Sequence, residues 1–156
     1  MALRIYVDTS VIGGCADIEF ADDSLRLFEL ARSGRLLILV SDVVVQELKD
    51  APQSVMQQFK ELPESAIEAV SLSEEVLQLR DAYLAAGVLG PKWLDDATHV
   101  AAATVAQDDA IVSWNFKHIV RLDKIKAYNE VNLKMGFGAL TILSPKEVVY
   151  DNTDED

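Results

Sequence analysis

Cysteine is almost missing from this chain, and the lone Cys15 excludes an internal disulfide and any cysteine-cluster zinc site. No basic neighbour activates it, so no catalytic role falls to it. Long hydrophobic runs are missing too, since no stretch approaches the ~20 apolar residues that span a bilayer. The opening Met1-Ala2-Leu3-Arg4-Ile5-Tyr6-Val7 lacks a signal peptide's order of basic region, long apolar stretch and small-residue cleavage site. A cytoplasmic location with no membrane partner is therefore expected. Positive charge is scarce: Lys and Arg number 14 against 26 Asp and Glu, a formal net charge of −12. That balance alone argues against nucleic acid, because phosphate backbones repel an acidic protein. Distribution changes the argument. The tail Asp151-Asn152-Thr153-Asp154-Glu155-Asp156 carries several of the acids, whereas residues 117–134 hold Lys117, Arg121, Lys124, Lys126 and Lys134 against Asp123 and Glu130. Taken alone, that basic stretch reads as a solvated helix face.

What is present is ordinary globular composition, with half of the 156 residues hydrophobic. One domain over 1–149 is expected, followed by an acidic, disordered tail over 150–156. Leu3 to Val7 is a short apolar run ending at Asp8 and reads as a buried strand. Thr9-Ser10 precede a loop with Gly13-Gly14, and a helix follows from Ala21 to Ser33 with Gly34 at its C-cap. Leu36 to Val40 is a second strand. Ser41 or Asp42 caps a helix running to about Asp50, and another helical stretch lies between Pro52 and Pro63. Ala66 to Leu72 is a third strand, and a helix from Ser73 runs towards Gly87. Leu94 to Val105 is helical, Ala110 to Trp114 a fourth strand, Arg121 to Met135 a helix, and Leu140 to Leu143 a last strand. Ser144-Pro145-Lys146-Glu147 has the chemistry of a helix start for a short final turn. Near-continuous apolar strands alternating with helices predict an α/β fold, a three-layer α/β/α arrangement with a mostly parallel sheet of four to five strands. Ligands of such sheets gather outside the carboxyl ends of the strands.

Acids fall at those ends. Asp8 closes the first strand, and a carboxylate directly after five apolar residues is costly to desolvate unless something positive meets it. Glu47 sits within Val43-Val44-Val45-Gln46-Glu47-Leu48, after the second strand. Asp95-Asp96 opens a helix whose continuation, Ala97 to Thr104, is small and apolar on nearly every side, so it packs deeply. Adjacent helical acids point roughly 100° apart, which leaves one of the two facing the pocket, Asp96 by preference, with His99 on its face to orient it. Taken singly, each acid is better explained as a cap or a surface charge. Asn115 follows the fourth strand and offers an amide oxygen. Hard oxygen donors suit Mg2+ or Mn2+ over zinc, and clustered carboxylates without a cation would repel one another. His99 taken alone reads as a buried hydrogen-bonded residue, His118 as surface or phosphate-facing, and Trp93 and Trp114 as core or rim packing.

These positions together resemble a PIN domain, in particular the VapC-like ribonucleases of bacterial and archaeal toxin–antitoxin pairs. The likeness rests on Val7-Asp8-Thr9-Ser10-Val11-Ile12, on Ser41 through Glu47-Leu48, on Asp96-Ala97-Thr98-His99-Val100-Ala101-Ala102-Ala103, and on Val112-Ser113-Trp114-Asn115. It runs from Leu3 to about Val149, in the family's order. It implies that Asp8, Glu47 and Asp96 bind Mg2+ or Mn2+, with Asn115 completing the catalytic set. It further implies an endoribonuclease that hydrolyses RNA phosphodiesters, dimeric with itself and silenced by an antitoxin protein. Thr9 and Ser10 match residues supporting the first aspartate; Asp95 and His99 are further candidates for support, and Lys117, His118 and Arg121 for contacts to RNA phosphates. Many active members carry a fourth aspartate where this chain has Asn115. The alternative is thus a catalytically weak or inactive PIN-like metal-binding module acting as an RNA- or protein-binding regulator. Haloacid-dehalogenase-type phosphatases need a second acid where Ser10 stands, and a receiver domain needs paired acids and a late-strand lysine that are not evident here.

Overall fold

A computed structural model of the chain describes residues 2–153. The first apolar run forms β1 (Leu3–Val7), the central strand of the sheet. It is flanked by β2 (Leu36–Ser41) and β4 (Ala110–Val112), with β3 (Ile67–Val70) and β5 (Ile142–Leu143) outermost. The order is β3-β2-β1-β4-β5, and every pair is parallel. Alternate side chains leave opposite faces of a strand. Accordingly Ile5 and Val7, with Ile38 and Val40, enter one buried cluster, while Tyr6, Leu39 and Ile111 enter the other. Two covered faces are why these strands read as unbroken apolar runs.

The first face is covered by α1 (Thr9–Gly14), α2 (Ala21–Arg32), α3 (Asp42–Leu48), α4 (Gln53–Lys60) and α8 (Pro145–Thr153), which bury Ile12, Phe28, Leu48, Val55 and Val148 against it. The second is covered by α5 (Glu74–Ala85), α6 (Leu94–Val105) and α7 (Leu122–Lys134), through Leu79, Val100 and Tyr128 among others. The expected three-layer α/β/α fold is therefore the observed one. Every residue of α6 from Ala97 to Thr104 is buried, as its small side chains required. Gly34 takes φ +83° beyond α2, with its N–H bonded to Ala31 O and that of Arg35 to Leu30 O. This paired capping pattern favours a residue without Cβ. No described helix is long and apolar enough to cross a membrane.

Several boundaries differ from expectation. The glycine-containing loop after Ser10 is instead helix α1, where buried Val11 and Ile12 outweigh the poor helix propensity of Gly13 and Gly14. Gly14 has a packing reason: a Cβ there would lie 2.6 Å from Ser24 Oγ and 2.8 Å from Trp114 Nε1. Gly14→Ala is expected to cost about 1–3 kcal/mol through overpacking, read as a lower urea midpoint. β4 stops at Val112 because the Trp114 N–H donates to Ser10 Oγ. Leu140 leaves the last strand because the Asn129 side chain takes both its N–H and its carbonyl. Helix α8 exceeds the single turn expected after Ser144 and runs to Thr153, into the stretch assigned to the acidic tail; residues 154–156 of that tail lie outside those described.

Candidate active site

In a doubly wound sheet the crevice opens where the strand order reverses. The chain passes from β1 outward through β2 and β3, then returns to add β4 on β1's other side. The carboxyl ends of β1 and β4 therefore flank this point, and Asp8 lies on the end of β1.

Asp8 is 4% exposed. Its Oδ1 accepts from Ser10 Oγ at 2.6 Å and its Oδ2 from Ser113 Oγ at 2.6 Å. Ser113 Oγ also accepts the N–H of Asn115, so the segment leaving β4 clamps the carboxylate. Burial pushes the Asp8 carboxyl above its ordinary range, Asp96 adds to the push, and His99 with the two serines pulls it back.

Glu47, on α3, is held from two sides: Thr9 Oγ1 donates to Oε1 at 2.8 Å, and His99 Nε2 lies 2.8 Å from the same oxygen. An ionised carboxylate only accepts, so Nε2 carries a proton and donates to Glu47, and on its other side the Nδ1 lies 2.8 Å from the Tyr6 hydroxyl. Tyr6 in turn bonds Ser41 Oγ at 2.7 Å. Burial raises the Tyr6 hydroxyl well above its ordinary value, which keeps it a donor. For Glu47 burial pushes upward, but the bonds from His99 and Thr9 outweigh it and leave the carboxyl below its ordinary value. His99→Phe keeps a ring but leaves the Tyr6 hydroxyl with Ser41 alone and removes one of the two bonds that hold Glu47. A stability loss of about 1–3 kcal/mol in urea denaturation is expected, with Tyr6→Phe costing less.

Asp96, in the first turn of α6, accepts from His118 Nδ1 at 3.0 Å. The His118 ring lies 4.1 Å, centroid to centroid, from that of Trp93. Asn115 Oδ1 accepts the N–H groups of Lys117 and His118. Those two bonds fill its acceptor positions, so the amide oxygen holds the turn after β4. Glu47, Asp95, Asp96 and Asn115 line an open cleft of about 470 Å³, walled by Trp93, His118, Lys92 and Lys117.

The donor chemistry suits a hard divalent cation: three carboxylates stand at one sheet edge, and none pairs with a lysine or arginine among the described residues. The spacing is looser. Among the described residues no three carboxylate, imidazole or thiol groups converge closely enough to share one ion.

The structure redistributes several roles. His99 orients Glu47 instead of Asp96, because α6 is buried deeply enough for its ring to reach α3; His118 serves Asp96. Ser10 supports Asp8 as expected, but Thr9 turns to Glu47. His118 is not at the surface: it is 8% exposed and enclosed by Asp96 and Trp93. Arg121 lines a neighbouring pocket and is held in a two-bond pair with Asp123, at 2.6 and 2.7 Å. Asp96 is preferred over Asp95 in that Asp96 is half-buried and bonded while Asp95 is exposed, yet both reach the cleft. Trp114 is core, stacked on Phe20 and bonded to Ser24. Cys15 is inert, since burial pushes its thiol up to about 12. Sequence reasoning missed Ser113, Tyr6 and Ser41. A hydroxyl at a strand end was a usable signal for Ser113 and Ser41; Tyr6 gave none, being one more apolar-run residue.

No protein-family model matches the chain, and no curated protein sequence does. Among solved structures the chain is similar to one from the crystal structure of VapBC2 from Rickettsia felis bound to a DNA fragment from their promoter. The TM-score is 0.56 at 14% identity, over 91% of this chain and 98% of that one. At that identity the likeness establishes the fold alone, the three-layer α/β/α arrangement around a parallel sheet.

Proposed function

We propose that this protein is a divalent-metal-dependent endoribonuclease, the toxin of a toxin–antitoxin pair, acting in the cytoplasm as a homodimer. The observation that carries the reading is the buried Asp8 at the end of the central strand, joined at the same edge by Glu47 and Asp96, with no lysine or arginine paired to any of the three among the described residues. Asp8, Glu47 and Asp96 would hold Mg2+ or Mn2+. Such an ion supplies an activated water and charge neutralisation for in-line attack on a phosphodiester. Ser10 and Ser113 fix the Asp8 carboxylate by donating to its two oxygens. His99 and Thr9 hold Glu47, His118 holds Asp96, and Asn115 shapes the turn that carries Lys117 and His118. Lys117 and Lys92 stand at the cleft wall, placed to meet substrate phosphates. The structural neighbour is a VapBC2 complex, which supports an antitoxin as the partner of this chain. The test is cleavage of single-stranded RNA by the purified protein with Mn2+, and its loss with EDTA.

A second reading has its own observations. The three carboxylates do not converge, and the Asn115 oxygen is spent on a turn. A non-catalytic metal-binding module follows if Mn2+ binds in calorimetry while no single-stranded RNA is cut.

A further inference from the structure

A second pocket, of about 260 Å³, lies beside the carboxylate cleft, and the two share Trp93, Lys117 and His118 as a common wall. The second pocket is lined by Lys117, Arg121 and Lys124 and by no acid. The first contains Glu47, Asp95 and Asp96. Charge therefore changes sign across Trp93. In a chain of net charge −12 this is a local excess of cations at the edge of the candidate active site.

The cations differ in availability. Arg121 is committed to Asp123, and Lys124 Nζ donates to the Val88 carbonyl at 2.6 Å. Lys92 and Lys117 have no carboxylate partner among the described residues; their ammonium groups sit 5.1 and 5.6 Å from the Trp93 ring centroid. Both lysines are exposed and Trp93 is half-exposed. A cation over a half-exposed indole gains only about 0.5–1 kcal/mol, so phosphate can draw the ammonium away and leave to another π-system the part of the ring that His118 does not cover.

We propose that Trp93 is a stacking platform for a nucleobase of single-stranded RNA, with Lys92 and Lys117 neutralising the adjacent phosphates. The proposal rests on the nuclease reading and extends it to how the strand is held. Only an unpaired base offers a free face, since a duplex keeps its bases stacked inside. Stacking on an indole tolerates every base, so the platform selects strandedness and not sequence. The strand would lie with phosphates in the basic pocket, one base on Trp93, and the next phosphate in the carboxylate cleft.

Fluorescence tests this directly, because Trp93 and Trp114 are the two tryptophans and Trp114 is buried against Phe20. The full chain is titrated at low salt with a short single-stranded RNA, in EDTA and again in Ca2+. Parallel titrations use an abasic strand of equal length, a duplex, and an acidic peptide. Expected is quenching by the single strand and little by the other three. Labelled-strand anisotropy should show Trp93→Ala weakening binding about tenfold or more, Trp93→Phe restoring most of it, and Lys117→Gln weakening RNA and abasic strand alike. Equal binding of the abasic strand, or tight binding of the acidic peptide with RNA excluded, overturns the platform. So does unchanged affinity in Trp93→Ala, or no binding of RNA in either buffer. Cleavage is read separately: RNA cut normally by Trp93→Ala sinks this inference and leaves the nuclease, whereas Trp93-dependent binding without cleavage does the reverse.

Discussion

Asp8→Asn is expected to abolish metal-dependent RNA cleavage while leaving the protein at least as stable as the wild type. The exchange removes the charge of the one carboxylate that is both buried and fixed on the central strand. Loss of a single well-placed electrostatic group costs about 10²–10³-fold in rate, and a group that also holds the metal should lose more. The stability half has a separate basis. An ionised Asp8 is buried without a positive partner, against its desolvation preference. Asparagine has the same shape: one of the two serine hydroxyls goes on donating to its amide oxygen, and the other turns to accept from its amide nitrogen. A thermal midpoint that holds or rises, beside a lost activity, separates a catalytic role from misfolding. Wild-type cleavage rates from this variant would remove the proposed function.

The second large effect lies at the opposite edge of the sheet. Asp108, just before β4, has both carboxylate oxygens buried with no hydrogen-bond partner among the described residues. Arg4 is the nearby cation, but its guanidinium is taken by Glu68 and by the carbonyls of Ala106 and Gln107. Burial pushes the Asp108 carboxyl up to about 8, with Asp109 and Glu68 adding to the rise and Arg4 opposing it. The sign follows from proton binding. Between the ordinary carboxylate value and about 8 the unfolded chain releases this proton while the folded chain keeps it, so Asp108 costs more stability as pH rises. Asp108→Asn is therefore expected to stabilise the protein by about 1–3 kcal/mol near pH 8, and by almost nothing near pH 4. Urea midpoints of both proteins across that range check it. A gain that does not vary with pH would show that the carboxyl is not titrating in this window.

Much of the architecture was legible from local pattern. The runs at Leu3, Leu36 and Ala110 announced strands covered on both faces, and Gly34 announced the end of α2. The small-residue stretch after Asp96 announced a helix packed on all sides. Misreadings came where a long-range partner overrode a local preference. Gly13-Gly14 reads as a loop until Val11, Ile12 and the contact with Trp114 are in place, and Leu140 reads as strand until Asn129 claims its backbone.

The same division runs through the site. That Asp8 stands at the sheet edge followed from the sequence alone, because an apolar run of the right length places the next residue at the carboxyl end of a buried strand; Glu47 and Asp96, which lie on helices, were grouped with it by the resemblance. Which donor serves which acid did not follow. Ser113 reaches Asp8 across 105 residues, and His99 reaches Glu47 across 52. His99 lies one helical turn from Asp96, yet the packing of α6 against the sheet carries its ring to α3. Periodicity reports the face on which a side chain lies. Only the packing of one element on another decides which atom it meets, and with it whether Trp93 packs inside or stands between a basic pocket and an acidic one.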